Sequence, residues 1–242
     1  MIHTLLILTC TTPEASSLVE LTQSFGPPEE PTIVPYHYLL GRKESYTKIN
    51  SAIGQPDYGP RTYVSSTTHQ ILVDTFDDLA GQNVHLVYGE GSWGGSHSNE
   101  RLLPHKTHKN GLYLDIFMPL VNQKGQSVLF PVNESNVFGY GVNFTPQGDG
   151  EGEYTQYSID WNSLITVFSA LCTHGGDNIG KVLIAKDVIP TLQSTKFKTK
   201  WENVPVECRK KLVPIQTLPP YNFAGQSLLV DHDDHIHVEF YR

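Results

Sequence analysis

The chain is poor in charge. Of its 242 residues 17% are charged, with 17 Lys and Arg against 25 Asp and Glu, for a formal net charge of −8. Arg42 is the first Lys or Arg, and no basic cluster follows it. A nucleic-acid backbone or an anionic membrane surface is met by clustered Lys and Arg, so neither is expected as a partner. There is also no apolar run long enough to span a bilayer, which excludes a transmembrane helix. Cysteine is scarce, at three residues, so no dense disulfide framework holds the fold. What is present describes a folded protein: hydrophobic residues make up 38%, while 20 Gly and 16 Pro predict much loop and modest helix content.

The N-terminal run Ile2 to Cys10 is apolar but lacks the positive region of a secretory signal. Two readings stand. Either it is the remnant of an export signal ending at a lipid-anchored Cys10, or it is a frayed terminal segment. In an exported protein Cys172 and Cys208 would be a disulfide pair. Residues 11 to 35 are rich in Thr, Ser, Glu and Pro, and read as lead-in that builds no core. The expected organisation is therefore a signal remnant or linker over 1–35 and a single domain over 36–242.

Along that domain the apolar spacing of Leu72, Phe76 and Leu79 behind Ser66-Thr67-Thr68 predicts a helix ending at Gly81, with a short strand over Val84 to Tyr88. Residues 112 to 117 alternate, with Leu112, Leu114 and Ile116 on one face and Tyr113, Asp115 and Phe117 on the other. Val128 to Phe130 reads as strand, Asp160 as the cap of a buried helix over Trp161 to Leu171, and Gly180 to Ala185 as a central strand. Trp201 to Pro220 reads as loop or short helix. With no internal repeat, the expectation is an α+β fold, an antiparallel sheet with flanking helices.

The chemistry-bearing residues gather in two stretches. Over Asp231 to Phe240, strict alternation from His235 onward puts Ile236, Val238 and Phe240 on a core face and His235, His237 and Glu239 on the other. Two imidazoles on one face with carboxylates nearby form a transition-metal donor set. The second stretch runs from His105 and His108 through Gly111 to Asp115. A carboxylate in a strand is costly to bury alone, so Asp115 calls for a partner unless its face is solvated. Taken singly, His105 and His108 are explained as solvated loop histidines and Asp115 as half of an ion pair. Taken together, His108, Asp115 and His237 supply three ligands of the kind that hold a catalytic zinc with one open position. His97 and Arg101, in the glycine-rich loop ahead of this stretch, are candidates for lining the cleft.

The run His105-x-x-His108-x-x-Gly111-x-x-x-Asp115 with the distant His232-Asp233-Asp234-His235-Ile236-His237 resembles the penicillin-insensitive murein endopeptidases. That family belongs to the zinc peptidase group of lysostaphin, D-alanyl-D-alanine carboxypeptidases and the sonic hedgehog domain. The resemblance is specific over the two motifs, looser at Arg61 to Val64 and Asp160-Trp161, and organises residues 55 to 242. It implies a hedgehog/D,D-peptidase-like fold and Zn2+ on His108, Asp115 and His237. It further implies His235 as a catalytic group, His232 as a support of the transition state, and His105 as a residue near the metal or a second ion. Asp234 is a second candidate base. Two departures stand out: Lys109 follows the second histidine where the family commonly has Gln, and no convincing counterpart is found of the further Asp-x-x-His pair that can hold a second metal. The function so implied is zinc-dependent hydrolysis of peptidoglycan cross-link peptides by an exported, periplasmic or cell-envelope protein. A D,D-carboxypeptidase and a non-catalytic zinc-bearing cell-wall-binding domain are the alternatives.

Overall fold

The computed structural model describes residues 17–21, 33–35, 55–103, 105–133, 135–216, 218–223, 226–230 and 233–241. In chain order come β1 (Leu18–Glu20), β2 (Ile33–Pro35), β3 (Tyr63–Ser65), α1 (Ser66–Leu79), β4 (Leu86–Tyr88), β5 (Tyr113–Phe117), β6 (Leu120–Asn122) and β7 (Ser127–Val128). There follow β8 (Tyr157–Ile159), α2 (Trp161–Gly175), β9 (Ile179–Ala185), α3 (Ile189–Leu192), α4 (Lys198–Asn203) and α5 (Val206–Arg209). The chain then runs through β10 (Leu212–Ile215), β11 (Leu218–Phe223), β12 (Gln226–Val230) and β13 (His235–Phe240).

The principal sheet has six strands in the order β10-β9-β13-β5-β4-β2. Its middle is antiparallel, but both edges are parallel, β10 on β9 and β2 on β4. The fold is α+β as expected, and the expectation of a purely antiparallel sheet is corrected to a mixed one. Each edge strand carries a proline, Pro35 or Pro214, which an edge tolerates because one side of its backbone needs no ladder partner. Smaller antiparallel sheets are formed by β7-β6-β8, β11-β12 and β1-β3.

The lead-in expectation also changes. Leu21, Ile33 and Val34 are buried, so this segment contributes to the core through its apolar residues despite its polar composition. Among the described residues no helix is long and apolar enough to cross a membrane.

Both long helices are capped as their sequences dictate. The Ser65 hydroxyl accepts from the Thr68 N–H at the start of α1, and the Asp160 carboxylate accepts from the N–H groups of Asn162 and Ser163 at the start of α2. Leu164, Ile165 and Phe168 of α2 meet Val182 and Ile184 of β9 and Ile236 of β13 around a small apolar cavity. Because side chains alternate along a strand, the face of β13 opposite Ile236 carries His235 and His237. The helix layer therefore covers one face, and the histidines gather on the other. Cys172 and Cys208 are neighbours, both buried and free, where a disulfide was expected for an exported protein, and burial pushes the Cys172 thiol up.

Candidate metal centre

Strand register builds the site. His237 of β13 pairs with Asp115 of β5, so as cross-strand neighbours their side chains project to the same face. His108 arrives from the loop before β5, through a tight turn at Asn110 and Gly111, both at positive φ. Gly111 is required there: a Cβ would lie 2.4 Å from the Ser65 nitrogen. The turn is tied down by Ser65 N–H donating to the Gly111 carbonyl (2.8 Å) and Leu102 N–H donating to that of His108 (3.1 Å).

Three donor atoms converge. His108 Nε2 lies 2.9 Å from His237 Nδ1, which lies 2.9 Å from Asp115 Oδ1, and the third side, His108 Nε2 to Asp115 Oδ1, is 3.2 Å. His105, His108 and Asp115 likewise present one donor atom each within 4.8 Å of one another, a buried group that could hold a metal ion. The closer triangle includes His237, with His105 at its side. His105 Nδ1 is 3.6 Å from Asp115 Oδ2, and its ring stacks on that of His108 at 4.0 Å. His108 and Asp115 are fully buried, and His237 is nearly so.

Burial sets the electrostatics. It pushes His108 down to about 3, with His105 and His237 adding to the effect and Asp115 opposing it, so the ring is a neutral donor at neutral pH. Burial would raise Asp115, but the neighbouring His108, His235 and His105 outweigh it and hold the carboxyl well below its usual range. An anionic carboxylate and neutral imidazoles are the protonation states that metal binding needs.

His235 stands beside the triangle. Its Nε2 is 3.6 Å from Asp115 Oδ1, and its Nδ1–H donates to the Asp234 carboxylate. The Asp234 carboxylate thus buttresses the far nitrogen of His235. His232 lies outside the described residues, as does Cys10. His97 stacks on Tyr58 (3.8 Å) and pairs with Glu100 (2.8 Å), while Arg101 is exposed and its carbonyl accepts from Gln55 Nε2. The structure brings neither into the histidine cluster.

Two residues were missed in the sequence. The Tyr140 hydroxyl donates to Asp115 Oδ2 (2.8 Å), which leaves Oδ1 as the oxygen turned toward His108 and His237. Glu90 Oε2 accepts from His105 Nε2–H (2.5 Å), and Glu90 is itself clamped by Arg61. No local pattern marks either residue. The outer nitrogen of His237 is 3.3 Å from the Thr107 hydroxyl. His108 Nδ1 is buried without a partner among the described residues, so stacking against His105 and Tyr113 orients this ring.

Fold and site together define an α+β protein with a buried histidine–carboxylate centre on one face of a mixed sheet. In comparisons with known proteins, no family model and no curated protein matches the chain.

Proposed function

We propose that the protein is a zinc hydrolase that cleaves amide bonds in peptidoglycan cross-link peptides, as in the murein D,D-endopeptidases its two motifs resemble. The observation that carries this reading is the triangle of His108 Nε2, Asp115 Oδ1 and His237 Nδ1, with sides of 2.9 to 3.2 Å. A tetrahedron with bonds of about 2.0 Å has edges of about 3.3 Å, so these donors are spaced for a small tetrahedral ion. Two imidazoles and one carboxylate are a donor set that suits zinc. Bound there, zinc would supply Lewis acidity and make a water nucleophilic near neutral pH.

The rest is done by the chain. Tyr140 fixes which Asp115 oxygen faces the histidines. The Asp234 carboxylate holds the His235 Nδ1–H, so His235 Nε2 is the atom that takes a proton from the attacking water and returns it to the departing amine. A site that only binds would need no such buttressed base, which favours turnover over a non-catalytic cell-wall-binding domain. Export to the periplasm or cell envelope belongs to this proposal, because that is where the substrate lies.

Digestion of purified cross-linked muropeptides tests it. Product masses should show dimers converted to monomers, with loss of activity on chelation and recovery on adding zinc. Release of a single terminal residue instead would assign a D,D-carboxypeptidase. No product with stoichiometric zinc bound would end the hydrolase reading.

A further inference from the structure

Arg61 and Glu90 form an ion pair that is fully buried: Arg61 is 0% and Glu90 2% exposed. Arg61 donates from Nε to Glu90 Oε1 (2.6 Å) and from Nη2 to Oε2 (3.0 Å), a forked pairing. The guanidinium also donates to the Leu103 carbonyl and lies 5.3 Å from the centre of the Trp93 ring. Replacing a buried ion pair by apolar groups often costs nothing, so stability alone does not account for this one.

Its position does. Gly91 N–H donates to the Arg61 carbonyl (2.9 Å), Asp115 N–H to that of Glu90 (3.0 Å), and Gly89 N–H to that of Asp115 (2.7 Å). Arg61, Glu90 and Asp115 therefore lie in a lateral row across adjacent backbone segments, continued by the pairing of Asp115 with His237. His105, from the loop above, drops its Nε2 onto Glu90 (2.5 Å) and its Nδ1 toward Asp115 Oδ2 (3.6 Å). With both Glu90 oxygens engaged by Arg61, this carboxylate cannot swing, and an acceptor fixed at Nε2 assigns the proton to that nitrogen.

We infer that Glu90, locked by Arg61, is a positioning residue that holds His105 as the Nε2–H tautomer, with the Nδ1 lone pair presented to the metal centre. The part of this that concerns metal rests on the functional reading above; the tautomer does not. Arg61 thereby acts through two residues on the site, and His105 is oriented as a nitrogen donor rather than as an exposed loop histidine.

Long-range proton–nitrogen NMR on 15N-labelled, metal-stripped protein at mildly alkaline pH reads the tautomer directly, with His105 assigned by its loss in His105→Gln. The expected pattern is a protonated Nε2 and an unprotonated Nδ1. Glu90→Asp keeps a charge for Arg61 but is one methylene too short to serve both partners, so it should turn this pattern into a mixture of tautomers. By chelator competition the same variant should bind Zn2+ about 10- to 100-fold more weakly, as is common when a hydrogen-bond partner of a metal-site histidine is removed. A protonated Nδ1 in the wild type, or an unchanged tautomer and zinc affinity in Glu90→Asp, would overturn the inference. The expected tautomer in a wild type that takes up no zinc would uphold Glu90 as the positioning residue and end the peptidase reading instead.

Discussion

Lowering the pH should destabilise the metal-free protein through His108. The folded chain keeps this ring neutral down to about 3, because it is fully buried, whereas an unfolded chain protonates it near 6.5. Below 6.5 the unfolded state therefore binds more protons, and stability falls as the pH falls until the folded-state value is reached. At 1.36 kcal/mol per pH unit for one proton, the fall from 6.5 to about 5 removes about 2 kcal/mol. The buried carboxylates enter later. Burial opposes it, but Arg61 and His105 hold Glu90 down to about 2 from an ordinary 4.5, so its contribution is intact above 4.5 and is lost between there and about 2. Asp115 contributes above its ordinary 3.8 and is lost as the pH falls below that. The window from 6.5 to about 5 therefore separates His108 from both. Urea unfolding of metal-stripped wild type and His108→Gln at several pH values measures it, and the wild type should lose about 2 kcal/mol more across that window than the variant. Parallel losses in the two proteins would refute the reasoning, since Gln carries no proton to bind.

Three further outcomes are expected. His235→Ala should retain zinc and lose turnover on cross-linked muropeptide by a factor of about 100 or more, while Asp234→Asn costs less; the reverse order in initial rates would make Asp234 the base. Tyr140→Phe removes the hydroxyl on Asp115 Oδ2 and should weaken metal binding by about tenfold or more in chelator competition, with unchanged affinity assigning Tyr140 to packing alone. Gly111→Ala forces a Cβ at φ +67 to within 2.4 Å of the Ser65 backbone, and a thermal melt should show a loss on the order of 2 kcal/mol or more; an unaltered melting temperature would mean that the turn can move.

Period-2 alternation made β13 and β5 legible, because one face of each is apolar and the other carries the donors: Ile236 and Val238 against His235 and His237, Leu114 and Ile116 against Asp115. The two long helices were legible from apolar spacing behind local Ser/Thr and Asp caps, although the cap of α1 falls on Ser65, one residue ahead of the Ser66-Thr67-Thr68 run read in the sequence. The sheet edges were not. β2 and β10 are short, contain Pro35 and Pro214, and gain their identity from parallel partners far along the chain, so neither composition nor period marked them. The site divides the same way. His105, His108 and Asp115 stand close in sequence, whereas Glu90 and Tyr140 join them only through backbone pairing and a loop return, across separations of 15 and 25 residues.

The central claim is a single metal held by His108, Asp115 and His237. Elemental analysis of protein purified without added metal tests it most directly, in the wild type and in His108→Ala, Asp115→Ala and His237→Ala. The wild type should carry one tightly bound zinc per chain, and each variant should lose it while remaining folded by circular dichroism. Stoichiometric zinc persisting in all three folded variants would place the metal elsewhere and contradict the account.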